Sequence, residues 1–334
     1  MSERKDTFER LDDHRDRAHT LPFDIGNDRF AIMSDLHKWN RSNADFFERN
    51  EAIYCSILDY YREKDFKLVL NGDIEEISGS TPETVLEKYK ETFAKEKKFV
   101  ERGDCYRIYG NHDYDWRSSK KREKYLKPEY GINPLVVPAL MLGEKIIIVH
   151  GHEGDLFSDI FKQFTKRILR LFKQAFTKLT GKKPRAAENH NIRKKREKYL
   201  LEWAQENRLM IIAGHTHRPV FETDSILFKL AQRSGELARK AETDSASAEE
   251  LERTKAVMEE LREEFQKDEE ITKADEPTPP NYFNCGCGIF KESITTIEID
   301  RGTICMIRWH MVGGELKRDW TYLKKDLAEI LDRI

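Results

Sequence analysis

Apolar residues in this chain gather in short runs, and each run ends on a polar residue. Phe30–Met33, Leu68–Leu70, Arg107–Tyr109, Ile146–Val149 and Met210–Ala213 are three or four residues long and show no alternation. Unbroken runs of this length predict strands buried on both faces. Between them the apolar spacing lengthens. Phe46, Phe47, Ile53, Ile57 and Leu58 predict a helix within Asn43–Glu63, and Thr81-Pro82-Glu83 opens another, with Thr81 as N-cap and Pro82 in the first turn. Strand and helix thus alternate from Arg29 to His152, which implies an α/β core with parallel strand pairs. In an open sheet of this kind the five strand ends line one edge, where ligands normally bind.

The flanking segments have other patterns. Residues 1–28 are polar and predict an N-terminal arm or short helix ahead of a main domain, 29–334. Two stretches interrupt that domain. Within 155–206, the segment 160–183 carries eight Lys or Arg and no acid, with Phe161, Phe164, Ile168, Leu171 and Phe172 among its apolar positions three or four apart. It reads as a basic amphipathic helix that packs on the core, lies on an anionic membrane, or forms a lid. A second helix, about Asn189–Glu206, returns to the core. The stretch 222–280 turns acidic, with 14 acids against 5 bases in 241–276, and a thin seam of Leu251, Val257, Met258, Leu261 and Phe265 predicts a helical hairpin with its tip near Ala241–Ala248. Asp275–Pro280 is a linker. Beyond it, Tyr282–Asn284, Ile294–Ile299 and Thr303–Trp309 predict strands, the last two joined at Gly302, and a final helix is expected over Arg318–Ile334.

Composition narrows the function classes. A net charge of -2 supplies no basic field for nucleic acid. Five cysteines form no CxxC pair and read as free buried thiols of a reducing compartment. The charged N-terminus and the lack of a window near the ~20 apolar residues of a spanning helix point to a cytoplasmic protein. Contact with a membrane from that side, through 160–183, stays open.

The polar residues that end the runs are all potential metal ligands: Asp35, His37, Asp73, Asn111, His150, His215 and His217. One histidine beside a strand proves little; an ordered set of seven is a constructed site. Imidazole and carboxylate together suit manganese, iron or zinc. Two such cations ~3.5–4 Å apart clamp the attacking and leaving oxygens of an in-line displacement, and a carboxylate at a tight turn, such as Asp73 after Gly72, can serve both.

Asp35-x-His37, Gly72-Asp73-x-x-Glu76, Gly110-Asn111-His112-Asp113, His150-Gly151-His152 and Gly214-His215-x-His217 resemble, in order, the motif set of the calcineurin-like metallophosphoesterase family, with Asn284-x-Gly286 as a weaker echo. The resemblance implies a layered α/β sandwich, here with two helical insertions, and a phosphohydrolase working on a phosphorylated substrate with two divalent metal ions. Asp35, His37, Asp73 and His217 would hold one metal; Asp73, Asn111, His150 and His215 would hold the other. A hydroxide shared by the metals would attack phosphorus. His112 would stabilise or protonate the leaving oxygen, oriented by Glu76 where many relatives carry Asp, and Asp113 would support the turn. Asp35-Leu36-His37 and the Gly-Asp-x-x-Glu form look most like the UDP-2,3-diacylglucosamine pyrophosphatase branch, although that branch usually has Arg where this chain has His112.

Overall fold

The computed structural model describes residues 3–154, 190–241, 243–264 and 281–334. The basic stretch 160–183, the tip residue Glu242 and the linker Asp275–Pro280 lie outside the described residues. The runs all become strands, but in two sheets. One sheet has the order β14-β13-β12-β2-β3-β4-β5 and contains β2 (Arg29–Met33), β3 (Lys67–Asn71), β4 (Cys105–Ile108) and β5 (Val136–Val137), which run parallel. Its other members are β12 (Ser293–Asp300), β13 (Thr303–Val312) and β14 (Glu315–Asp319), with β15 (Lys324–Asp326) paired to β13. The second sheet has the order β1-β6-β7-β8-β11-β9-β10, built from β1 (His19–Leu21), β6 (Ala139–Leu142), β7 (Ile146–Val149), β8 (Met210–Ala213), β9 (Val220–Phe221), β10 (Asp224–Ser225) and β11 (Tyr282–Asn284).

Side-chain parity explains the layering. Phe30, Ile32 and Val69 of the first sheet meet Leu140, Ile146, Ile148 and Ile212 of the second in one buried core. Their neighbours Ala31, Met33, Leu68 and Leu70 point the other way, onto Ile53, Tyr54 and Ile57 of α2 (Glu51–Glu63) and Phe93 of α4 (Lys90–Arg102). On the outer face of the second sheet, Ile147, Val149 and Ile211 pack on Leu11 of α1 (Glu3–Asp16) and on Leu200 and Trp203 of α5 (His190–Glu206). Strands covered on both faces have no polar side to show, hence the unbroken apolar runs.

Several boundaries differ from expectation, each for a tertiary reason. The single sheet edge is replaced by two sheets whose strand ends meet. The N-terminal segment, expected as an arm or short helix, does contain a helix, α1, and adds the edge strand β1, which pairs with β6. The helix expected over Asn43–Glu63 starts only at Glu51, because the Asn50 amide donates to the carbonyls of Gly288, Phe290 and Ser293 and fixes the chain there. Helix α3 (Pro82–Lys88) does begin at Thr81, whose hydroxyl accepts from the Thr84 N–H at 3.3 Å. The acidic stretch contains α6 (Ile226–Lys240) and α7 (Ser245–Glu264), with Leu251, Met258 and Leu261 buried.

The helix expected over Arg318–Ile334 is wrong. Gly313 and Gly314 turn the chain so that Glu315–Asp319 pairs with β13, and Trp320 at φ 64 breaks any continuous helix. Only α8 (Leu327–Asp332) is helical there, with Asp326 Oδ1 accepting from Glu329 N at 3.0 Å as its cap. All five cysteines are free thiols, and among the described residues no helix is long and apolar enough to cross a membrane.

Candidate metal site

The turns after β2, β3, β4, β7 and β8 converge where the two sheets meet. Asp35, His37, Asp73, His215 and His217 all take φ values between 51° and 68°. Left-handed backbone costs a non-glycine residue about 1–2 kcal/mol, and such strain clusters at functional sites. Two glycines permit the close approach. A Cβ on Gly72 would lie 2.4 Å from His150 Nδ1, and one on Gly110 would lie 2.2 Å from Asp73 Oδ1. Backbone bonds then tie the turns together: Asp35 N donates to Gly72 O, His37 N to Asp73 O, and Gly214 N to His150 O.

Three largely buried groups result. Asp35, His37 and His217 offer atoms within 4.8 Å of one another, as do Asp73, His150 and His215, and as do His37, Glu76 and His112. In the first, His217 Nε2 is 3.2 Å from Asp35 Oδ1 and 3.1 Å from His37 Nε2. In the second, His150 Nε2 is 3.2 Å from Asp73 Oδ2. Asp73 Oδ2 also lies 4.0 Å from His37 Nε2, so this carboxylate faces both groups. Asn111 stands in the same turn as His112, whose N–H donates to Asp73 Oδ1 at 2.7 Å.

These residues fit divalent cations. Asn111 Oδ1 and His215 Nε2 are buried and make no hydrogen bond among the described residues, while Asp35 Oδ1 and His150 Nε2 are buried with only the contacts to His217 and Asp73 given above. Groups so placed are costly unless something else satisfies them. The opposite faces of the ligands are held: His150 Nδ1 donates to Asn71 O at 2.8 Å, and the His215 N–H donates to Asp35 Oδ2 at 2.8 Å. Such outer contacts set the tautomer and orientation of metal-binding side chains.

His112 stands apart, with 26% of its side chain exposed while Asp35 and His150 are fully buried. Its Nδ1 lies 2.8 Å from Glu76 Oε2 and 3.1 Å from Ser78 Oγ, and its carbonyl accepts from the N–H groups of Ile77 and Ser78. The longer glutamate therefore reaches its histidine, and it also approaches His37 Nδ1 at 3.4 Å. Asp113 braces the turn by accepting from Ile74 N and Gly110 N.

Sequence reasoning passed over Ser78, His14 and Glu153. Glu153 is buried 3.0 Å from His14 of α1, and the His152 ring lies 5.4 Å from that of His150. The only sequence signal was that Glu153 directly follows the His150-Gly151-His152 motif. Asn284 has a defined role: its amide donates to Gly214 O at 2.7 Å, and its Oδ1 accepts from Gly286 N.

Burial and charge divide the histidines. Burial alone would lower His150, but Asp73 and Asp35 pull it up to about 10. His217 is likewise raised against its burial by Asp35. Burial pushes His37 down to about 4 and His215 well below its ordinary value, with His150 adding to the latter. Burial would raise Asp35, yet His217 and His150 hold it at about 2. The carboxylates thus favour protons on His150 and His217, which a cation bound there would displace. Metal uptake at pH 7 is expected to release roughly two protons per chain, measurable by calorimetry in buffers of different ionisation enthalpy. Release of none at pH 7 would contradict this assignment. His150 stabilises the metal-free fold fully below pH 6.5, and that contribution is lost as the pH rises through about 10.

The sequence profile of the calcineurin-like phosphoesterases matches residues 28–219, more than half of the chain. The chain belongs to this family. No curated protein matches it. Among solved structures, vacuolar protein sorting 29 from Cryptosporidium parvum is 11% identical with a TM-score of 0.35, over 90% of this chain and 98% of that one. A dimetal phosphatase from Danio rerio is 11% identical with a TM-score of 0.37, over 88% and 99%. Likeness this remote says nothing about activity.

Proposed function

We propose that this calcineurin-like phosphoesterase is a dinuclear metal-dependent phosphohydrolase that cleaves a phosphoester or diphosphate bond. The observation that carries the reading is the convergence of two ligand groups on Asp73, with buried ligand atoms left for cations. Asp35, His37, Asp73 and His217 would hold one cation, and Asp73, Asn111, His150 and His215 the other. When bound, the cations neutralise phosphoryl oxygens and acidify water. Glu76 would accept from His112 Nδ1–H and stabilise the imidazolium, whose Nε2–H would donate its proton to the leaving oxygen and leave the ring neutral. Ser78 restricts the same ring. His112 and His217, 26% and 32% exposed, line the approach from solvent.

A narrower reading is a diphosphatase acting on a UDP-linked lipid at a membrane face. It is favoured by Glu76, the residue type of that branch, which lies 2.8 Å from the residue it would orient. His112 in place of the branch's arginine weighs against it. A non-catalytic scaffold of the same fold is disfavoured by the complete ligand set.

The test is metal content by elemental analysis, followed by hydrolysis assays with manganese, iron and zinc. Substrates should include aryl phosphates, phosphodiesters, nucleotides, phosphoproteins, oligonucleotides and UDP-linked lipids. Close to two metals per chain and metal-dependent hydrolysis of at least one non-nucleic-acid class are expected. A clean preparation that never takes up metal would overturn the reading.

A further inference from the structure

Directly beneath the candidate ligands lies a closed ring of four charges. Lys38 Nζ is 2.8 Å from Glu96 Oε1 and 3.0 Å from Glu75 Oε1. Arg107 completes the ring through Nη2 to Glu75 Oε2 and Nη1 to Glu96 Oε2, at 2.5 and 3.3 Å. Positive and negative members alternate, and none is more than 1% exposed. Neutral donors reach three of the four carboxylate oxygens from outside: Tyr54 to Glu96 Oε1 at 2.7 Å, Tyr130 to Glu96 Oε2 at 2.5 Å, and Trp116 Nε1 to Glu75 Oε2 at 2.8 Å. The Lys38 ammonium also sits 4.0 Å from the centre of the Phe93 ring.

The ring's place in the chain gives it a task. Lys38 follows His37, and Glu75 precedes Glu76. Arg107 lies on β4, the strand that delivers Asn111 and His112, while Glu96 ties Lys38 and Arg107 to α4. A β-bridge joins Lys38 and Glu75, with Lys38 N donating to Ile74 O and Glu76 N to Lys38 O. Their neighbours His37 and Glu76 meet each other on the site side of this bridge, at 3.4 Å.

We propose that Lys38, Glu75, Glu96 and Arg107 are positioning residues whose ring sets the spacing of the turns Asp35–Lys38 and Asp73–Glu76, so that the metal ligands are preorganised. This rests on the reading of the site as metal-binding. Stability alone is a poor reason for the ring, since buried ion pairs can often be exchanged for apolar residues of similar volume without loss. Directional bonds do what apolar packing cannot: they hold two strained turns at a fixed separation. The ligands need such help. His37, Asp73 and Asp35 are all in left-handed backbone, and the carboxylates of Asp35, Asp73 and Glu76 all lie within 4.0 Å of the His37 ring nitrogens.

The test compares wild type with Lys38→Met/Glu96→Gln, which removes one charge of each sign, keeps side-chain volume and leaves Arg107 paired with Glu75. A second variant, Tyr54→Phe/Trp116→Phe, removes two outer hydrogen bonds and no charge, and carries the test if the first does not fold. Manganese and zinc dissociation constants are measured by calorimetry, with melting of the metal-free proteins and kcat and KM alongside. Metal affinity is expected to weaken about 10–100-fold in the charge variant, the range typical of lost outer-sphere support, with kcat falling more than KM. The tyrosine–tryptophan variant should shift affinity in the same direction by less. A purely structural ring lowers the melting temperature and leaves metal affinity alone; that result in whichever variant folds overturns the proposal. Wild type that binds no metal sinks the metal-site reading and this proposal together. Wild-type uptake with unchanged affinity in the variants sinks the ring alone.

Discussion

Asp73→Asn is expected to lower turnover by more than the roughly 10–100-fold that follows loss of an outer-sphere partner, and to leave fewer than two metals per chain. Asparagine keeps the shape and the acceptor that receives the His112 N–H at 2.7 Å, so the turn should survive. The charge shared between the two ligand groups is what disappears. Oδ2 lies 3.2 Å from His150 and 4.0 Å from His37, one histidine from each group. Burial makes the Asp73 carboxylate costly, and His150 and His112 nevertheless keep it ionised well below its ordinary range. Removing that negative charge weakens both cations at once, unlike any other single substitution among the seven. Elemental analysis beside steady-state kinetics checks it. Full activity with two bound metals would remove Asp73 from the centre of the site.

His112→Ala should show the opposite division of effects. Losing a general acid typically costs about 10²–10⁴ in rate, and that loss is expected in kcat with metal content unchanged. His112 is not one of the seven residues read as metal ligands, and although it lies within ligand distance of His37 and Glu76, its Nδ1 is engaged by Glu76 and Ser78. The size of the loss should depend on the leaving group. A nitrophenolate departs without a proton and should lose less than an alkoxide, so a series of substrates with graded leaving groups reads the role directly. Glu76→Gln should follow the same trend with a smaller loss, because Ser78 still restrains the ring. A uniform loss across the series, or loss of metal from His112→Ala, would assign His112 to another task.

Much of this could be read from the chain because the motifs are local. An apolar run followed by a glycine turn and a ligand needs only its own residues to specify it, and all five runs form strands. The Thr81 cap and the Arg301-Gly302 hairpin turn, both residues at positive φ, were legible for the same reason. The errors lie where distant residues decide. Arg318–Ile334 has the charge density of an exposed helix, yet β13 offers an open edge and Gly313-Gly314 delivers the chain to it. His14 carried no signal at all, because its partner Glu153 is 139 positions away in sequence and adjacent only in the fold.

By itself the sequence determined which residues could bind metal, their order, and the strand ends that present them, since turn chemistry and apolar periodicity act over a few residues. Only the tertiary structure decided that those ends belong to two sheets rather than one. Ile146 and Ile147 look alike in a continuous apolar run, and which of them faces the other sheet depends on what packs there. The same holds for the buried ring. Nothing along the chain pairs Lys38, Glu75, Glu96 and Arg107, even though Arg107 sits in a run predicted to be a buried strand, because their pairing is a matter of distance in space and the chain records only distance along itself.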